Sequence, residues 1–378
     1  MKPATHWNRR TFLSAAGLTA AAAVSPRLLT AESTNQPATT NPASYACVAS
    51  TNQIQLFHVR DANWLPLTEP TSCEAPRSLA LHPTRDILYI AHDTQQYLNL
   101  PRASISAWSI DHRTGTLLPI NRTPLTLSAT SPQHISISPD GRTLLVSATG
   151  GGAYNLFSLA SDGTILPTPH ALKQTGCGPH PLQSSAQPHA AIFHPTSPIA
   201  YACDFGTDRI NQFDLRAETP TIINRTSLPP GNGPQHITLH PSGHMLVAAS
   251  RLQPTLHVIA IDEKSHHLGA SLQQLSLNAT TAGPICFNPS GDTLYATALT
   301  AKQESTLFVF QIDQASLRIH QFASISLSGI GDPQQLISHQ GRLYLAGASG
   351  VTSLDPNRLT SEHVLHRSNI TSVTMSAL

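Results

Sequence analysis

The chain has 378 residues, a formal net charge of +1 and only 11% charged side chains, so it lacks the basic excess of a nucleic-acid or membrane-surface binder. Its length suffices for a large core or for two domains. Its wealth of Ser, Thr, Pro and Ala favours many short strands and turns over long helices. The 20 histidines are scattered without metal-ligand spacing, so we expect neither a metal nor a cofactor.

The N-terminal segment has the pattern of a sorting signal. "NRRTFLSAAGLTAAAAV" places Arg9 and Arg10 before Phe12, Leu13 and a mildly apolar run. We predict a twin-arginine signal peptide over residues 1–31 and a disordered leader over residues 32–44. The apolar run falls short of the roughly 20 strongly apolar residues that span a bilayer. We therefore expect a periplasmic or secreted protein that does not insert into the membrane after cleavage; the alternative is an ordinary N-terminal helix.

The mature region contains a repeat. Six segments begin with a Pro, continue as a short alternating apolar run, turn, and form a second apolar run. They start at Pro76, Pro132, Pro188, Pro234, Pro284 and Pro333. A third run such as "TLHVIAID" and a weaker fourth run such as "RTGTLLPIN" follow, with Pro-Asp-Gly or Pro-Ser-Gly in several of the first turns. Four alternating strands per unit of about 50 residues predict the blades of a β-propeller.

The two ends of the repeat region complete the count. Residues 45–68 contain the second, third and fourth strands of a blade that lacks its first, and "NITSVTMSA" at the C-terminus is an unpaired first strand. We therefore predict an all-β, seven-bladed propeller over residues 45–378, closed by pairing the C-terminal strand with the N-terminal strands, because an open ring would leave unpaired edges. We expect it to be a monomer.

Five cysteines, Cys47, Cys73, Cys177, Cys203 and Cys286, are widely spaced. An odd number leaves at least one free thiol, and the spacing fits no zinc template. We expect them to be small buried apolar residues.

The first strands of a propeller line its central channel, so the Pro-X-His ends should meet there. We expect this geometry to gather Arg77, His134, His189, Gln235 and His236, with Asp204 and Arg251 on nearby loops. A histidine can act as a general base and an arginine can stabilise an oxyanion. Structural alternatives remain open: His134 and His236 can bond neighbouring blades, and Asp204 and Asp208 can tie their own loop. His82, His194 and His240 are expected to be turn residues.

These motifs resemble the seven-bladed lactonase family of bacterial 6-phosphogluconolactonase and fungal carboxy-muconate lactonising enzyme. The resemblance runs from about Tyr45 to the C-terminus. It is carried by "TSPQHISISPDGRTLLVSATGGGAYNLFSLASDGTI", by "GCGPHPLQSSAQPHAAIFHP" with the following "DFGTDRINQFDL", and by "GPQHITLHPSGHMLV". It implies a hydrolase whose channel rim carries a catalytic His, Arg and Glu.

The catalytic His of that family corresponds to His189. Its Arg falls at Gln235, its Glu falls at about Arg251, and a second His is replaced by Ala191. The resemblance thus implies a lactonase in which Arg77 or Arg251 supplies the positive charge. The alternative is a catalytically inactive propeller that binds a carbohydrate or a protein partner at its rim.

The candidate site therefore comprises two groups of residues. The catalytic candidates are His189, Arg77 and Arg251. The substrate-binding candidates, for a small-molecule lactone or carbohydrate, are His134, Gln183, Asp204, Arg209, Gln235 and His236.

Overall fold

The structure is a computed structural model that describes residues 44–377, except 61, 168, 218, 328, 348, 357 and 359. The predicted signal peptide and most of the predicted leader lie outside the described residues. Among those described, no helix has the length and apolar character needed to cross a bilayer.

The described residues form 29 strands. In chain order they are β1 (Ser44–Ser50), β2 (Gln53–Arg60), β3 (Asn63–Pro66), β4 (Thr71–Ser72), β5 (Pro76–Leu81), β6 (Ile87–His92), β7 (Ser104–Asp111), β8 (Thr116–Pro124), β9 (Thr130–Ile137), β10 (Thr143–Gly150), β11 (Ala153–Ser158), β12 (His170–Lys173), β13 (Pro188–Phe193), β14 (Ile199–Asp204), β15 (Arg209–Asp214), β16 (Thr221–Ser227), β17 (Pro234–Leu239), β18 (Met245–Ser250), β19 (Thr255–Ile261), β20 (Leu268–Ser276), β21 (Thr281–Phe287), β22 (Thr293–Leu299), β23 (Ser305–Asp313), β24 (Arg318–Leu327), β25 (Pro333–His339), β26 (Arg342–Gly347), β27 (Gly350–Asp355), β28 (Thr360–His366) and β29 (Ile370–Ala377).

These strands form seven antiparallel sheets, which confirms the predicted seven-bladed propeller. Blades 1 to 6 each contain four consecutive strands, β5–β8 through β25–β28. Blade 7 has the order β29-β1-β2-β3, with β4 paired to β2. The first strand of every blade contacts the first strands of both neighbours, so these strands enclose a closed central ring.

Blade 7 closes the ring as the repeat predicted. β29 pairs with β1 from Ser44↔Ala377 to Ser50↔Ile370, while β1 also pairs with β2. Val373, in the middle of β29, is fully buried. β29 therefore supplies the first strand of blade 7, on which β1 pairs, and completes the ring of seven blades.

The core is divided among the blade interfaces. Seven clusters of buried apolar side chains occur among the described residues, and each joins two adjacent blades. For example, Tyr154 of blade 2 packs edge-on against Phe213 of blade 3 at 5.0 Å between ring centroids. Because each sheet buries both faces between neighbours, its inner strands are apolar on both sides.

The histidines that precede Pro in the first turns are turn residues, as predicted. The Nδ1 atoms of His82, His194 and His240 accept backbone N–H groups two residues further along the chain. His240 also bonds Gly291 O of the next blade through Nε2, at 2.7 Å. The ring of each such histidine lies so close to a turn glycine of the following blade that a Cβ there would clash. These turns therefore also join neighbouring blades.

The cysteines follow the expectation with one departure. Cys47, Cys73 and Cys203 are buried, Cys286 is half-buried, and all five cysteines are free. Burial raises the pKa of the Cys73 and Cys203 thiols to about 12, so both stay protonated. Cys177 is exposed, which contradicts the expectation of burial for that residue.

Candidate functional site

A β-bulge occurs near the start of the first strand in every blade. In blade 1, Pro76 pairs with His92 and Ser78 with Ala91, so Arg77 has no partner in the ladder. In the same way, the bulges leave out Gln133, His189 with Ala190, Gln235, Gly283 with Pro284, Gln334 and Thr371. A bulge re-aims the side chain of the extra residue. The seven blades thereby turn a ring of side chains out of their sheets.

These side chains line one cavity at the centre of the ring. The cavity has a volume of about 190 Å³, and bulge residues from all seven blades border it, namely Arg77, Gln133, His189, Gln235, Pro284, Gln334 and Thr371. At about 30 Å³ per water, it holds about six water molecules, which is the scale of one sugar ring. The cavity therefore suits a single small polar molecule.

Arg77 is the one cation on the cavity wall, and among the described residues no carboxylate lines that wall. Its Nη2 donates a 2.9 Å hydrogen bond to Gln133 Oε1. Gln133 is itself fixed by donating from Nε2 to Ser131 O at 3.2 Å. An arginine held by a neutral amide keeps its full positive charge for a ligand, because its partner does not neutralise it.

The ring of His189 is half-buried, and the charged groups among the described residues that shift its pKa are all positive. Burial, then the positive charges of Arg77 and Arg251, lower the pKa of His189 to about 3. The imidazole is therefore neutral at pH 7 and has a lone pair for a proton. Phe205 packs against it at 5.4 Å between ring centroids, and this aromatic contact orients the ring.

His134 and His236 also line the cavity, one residue beyond the bulge. His134 Nδ1 accepts the backbone N–H of Ala191 in the next blade at 3.4 Å. Equivalent positions make the same bond to the next blade: Ser78 to Ile135, Gln335 to Val373 and Ser372 to Leu79. For His134, this bond supports the structural role between neighbouring blades over a role in ligand binding. Burial lowers the pKa of His134 to about 4, and burial together with the positive charge of Arg251 lowers the pKa of His236 to about 3.

Arg251 lies near the cavity but is not on its wall. It follows β18 of blade 4, and its Nη2 is 2.9 Å from Asp332 Oδ2, just before β25 of blade 6. Blade 5 lies between these two blades, so the ion pair crosses the rim above it. Asp332 offsets much of the charge of Arg251, which leaves Arg77 as the cation that faces a ligand. Gln235 on the wall has a buried Oε1 that has no hydrogen-bond partner in the described part of the chain.

Two predicted binding residues belong to a loop anchor instead. Gln183 is fully buried, and its Nε2 donates to Phe205 O at 2.7 Å and to Asp208 Oδ1 at 2.8 Å. Asp204 Oδ1 accepts the N–H groups of Gln187 and Gly206 at 2.8 and 2.9 Å. Neither lines the cavity. We therefore correct their assignment: the hydrogen bonds that these two side chains form hold the loop that precedes His189.

Arg209 is a third predicted binding residue that lies elsewhere. It begins β15 in the third position of blade 3, is exposed, and borders a separate cleft. The sequence prediction missed Gln133, Gln334, Thr371 and Phe205, the last of which packs against His189. The first three occupy the position after Pro, or its equivalent in β29, so the repeat itself carried the signal.

Comparison with known proteins identifies the family. Residues 43–350 match the family described as Lactonase, 7-bladed beta-propeller. A 6-phosphogluconolactonase from Serratia proteamaculans is 26% identical over 332 residues, covering 82% of this chain and 91% of the relative.

Two solved structures have the same fold. A Bacteroides fragilis protein has a TM-score of 0.78 at 18% identity, covering 90% of this chain and 99% of that one. The periplasmic gluconolactonase of Pseudomonas aeruginosa has a TM-score of 0.76 at 19% identity, covering 89% and 99%. With its seven blades and its ring of rim side chains, the chain belongs to the lactonase family of seven-bladed β-propellers.

Proposed function

We propose that this protein is a lactonase, a carboxylic-ester hydrolase that opens a single-ring sugar lactone in the central cavity. The observation that carries the proposal is the convergence of His189 and Arg77 on one cavity of about 190 Å³. The first is a neutral base, and the second is a cation that pairs with no carboxylate among the described residues. The similarity to a 6-phosphogluconolactonase supports the same reaction class.

The reaction needs only these two groups and water. His189 takes a proton from water as its oxygen attacks the lactone carbonyl carbon, and the carbonyl oxygen becomes an oxyanion beside Arg77. The low pKa of His189 makes it a weak base at first, but a developing oxyanion nearby favours its protonated form. Collapse breaks the ring C–O bond, and His189 returns the proton to the leaving alkoxide. The product is a hydroxy acid.

The substrate class follows from the size and polarity of the cavity. Four amide side chains line it together with Thr371, namely Gln133, Gln235, Gln334 and Gln335. Amides and hydroxyls suit the hydroxyl groups of a sugar ring, and the free Oε1 of Gln235 can accept one of them. An unphosphorylated aldonolactone fits both this lining and the twin-arginine export predicted from the sequence. We propose that the reaction takes place in the periplasm. The similar gluconolactonase of Pseudomonas aeruginosa is described as periplasmic.

The test is pH-stat hydrolysis of glucono-δ-lactone, its 6-phosphate and γ-lactones, with spontaneous opening subtracted. We expect His189→Ala to abolish turnover and Arg77→Gln to lower kcat by about 10²–10³-fold, because each removes a group that acts on the transition state. Arg216→Gln is the matched control, since Arg216 is an exposed arginine that pairs with Asp214. Equal rates for all three variants would disprove the proposed mechanism.

One observation favours a second function. Asp332 neutralises Arg251, and Gln235 stands where lactonases of this family carry an arginine, so the site holds fewer free charges than the family pattern implies. The second candidate is an inactive propeller that binds a carbohydrate or a protein partner at its rim. Rates equal to the buffer blank for every lactone, together with saturable binding of an aldonate or sugar, would establish it.

A further inference from the structure

A second polar cleft opens between blades 2 and 3, away from the central cavity. It has a volume of about 460 Å³ and is bordered by Lys173, Gln174 and Thr175 from blade 2 and by Arg209, Arg225 and Ser227 from blade 3. Three of its six lining residues are cations, and none is acidic. The proposed lactone reaction uses none of them.

The strand register shows why the two arginines meet. Arg209 of β15 pairs with Ser227 of β16, and Asn211 pairs with Arg225. Residues two apart on a strand share a face, so both arginines lie on the face of Asn211, as diagonal neighbours about 7–8 Å apart. Asn211 Nδ2 donates to Tyr154 Oη in blade 2, at 3.4 Å. That face of blade 3 is therefore turned towards blade 2, where Lys173 ends β12.

These three cations lack an ion-pair partner among the described residues, although Asp204 lies opposite Arg209 in the ladder. Within the described part of the chain, none of Lys173, Arg209 and Arg225 forms an ion pair, whereas Arg122, Arg216 and Arg251 each pair with a carboxylate. Like charges placed together repel, and an anion bound between them removes that repulsion. Two guanidinium groups match an oxyanion geometrically, and Thr175 and Ser227 add hydroxyl donors.

We propose that Lys173, Arg209 and Arg225 bind a tetrahedral oxyanion, the phosphate or sulfate group of a small ester. A divalent anion matches three cations better than a single carboxylate does. The ladder Pro188↔Asp204↔Arg209 puts the cleft on the same end of blade 3 as His189, two strand spacings or about 10 Å further from the axis. The cleft is thus a separate site at the same end of blade 3 as the cavity residue His189, and its existence does not depend on the proposed lactonase reaction.

The test is isothermal titration of the purified protein with inorganic phosphate, at an ionic strength held constant with sodium chloride. We expect saturable millimolar binding at one site, weakened at least tenfold in the double variant Arg209→Gln and Arg225→Gln. Both residues are exposed, so the fold should persist, and circular dichroism checks it. Arg216→Gln removes the same charge from the same blade and should bind phosphate as the wild type does.

Further arms separate the sources of the anion and the two sites. Tighter binding of glucose 6-phosphate than of glucose 6-sulfate identifies a phosphate site, and the reverse order identifies a sulfate site. His189→Ala should leave phosphate binding unchanged. Equal affinity in the double variant and in Arg216→Gln would overturn the proposal, as would loss of phosphate binding in His189→Ala, since the anion would then occupy the central cavity.

Discussion

The carboxylate of Asp208 is predicted to stabilise the fold rather than to act on a ligand. It is almost fully buried and accepts three hydrogen bonds, from Gln183 Nε2 at 2.8 Å and from the N–H groups of Gly231 and Gly233 at 2.7 Å each. It thereby ties the loop before His189 to the loop before Gln235. The change to test is Asp208→Asn. Asparagine tolerates the left-handed backbone found there, at φ 53°, so the change leaves the backbone preference intact.

The magnitude follows from the three bonds. The asparagine NH₂ would face one backbone N–H, and a buried donor left unpaired costs about 1–3 kcal/mol. The two remaining bonds lose their charge assistance, at about 1 kcal/mol each, so the loss totals about 3–5 kcal/mol. A domain of about 330 residues unfolds with an entropy of about 0.7 kcal/mol/K at its midpoint, which converts this loss into a fall in Tm of about 4–7 °C.

The assay is thermal unfolding at one scan rate, followed by circular dichroism, alongside lactone turnover per folded molecule. Asp214→Asn is the control in the same blade. Its ion pair with Arg216 involves a mostly exposed arginine, so the expected fall in Tm is below about 2 °C. An unchanged Tm for Asp208→Asn with abolished turnover would refute the structural assignment and make the loop anchor part of the chemistry.

Three further predictions concern pH and ring closure. Because the pKa of His189 lies at about 3, kcat/KM should stay flat between pH 5 and 7 after correction for spontaneous opening, and an inflection near pH 6.5 would contradict a neutral His189. Burial lowers the pKa of both His92 and His257 to about 4, so below the unfolded value of 6.5 only the unfolded chain takes up their protons. Stability should then fall by about 1.4 kcal/mol per pH unit for each histidine between pH 6.5 and about 4, and His257→Gln should make Tm less dependent on pH over that range. Val373→Asp should prevent closure, because it buries an unpaired charge in β29; a soluble variant with wild-type Tm would show that the pairing of β29 with β1 is dispensable.

The architecture was predictable because the repeat fixes it. Six units in register, each with period-two alternation, identified four strands per blade, and the incomplete units at residues 45–68 and at the C-terminus identified the seventh blade. A propeller blade contacts only its neighbours, so the closure of the seventh blade was the one long-range strand pairing that had to be predicted. The rim residues Arg77, His189 and Gln235 followed from the same repeat.

The separation of rim residues from anchors was harder to predict. Gln183 and Asp204 are of residue types that often bind ligands. Only their hydrogen bonds show that they hold a loop. The bulge was equally hidden, because sequence alternation alone assigns successive residues to opposite faces. Likewise, nothing in the sequence near Arg251 indicated Asp332, since the two are 81 residues apart and meet only across blade 5.

The bulges that place seven side chains around the cavity have a consequence for how this fold acquires new ligand specificities. A residue outside the ladder contributes no strand pairing, so substitutions at the seven rim positions leave the backbone hydrogen bonds of the ladders intact, although Thr371 also donates from Oγ1 to Pro76 O of blade 1. The anchoring function sits one residue further along, at Ser78, His134, Gln335 and Ser372. Adjacent residues thus evolve under different constraints, and a library randomised at the rim alone should yield folded variants with different ligand preferences.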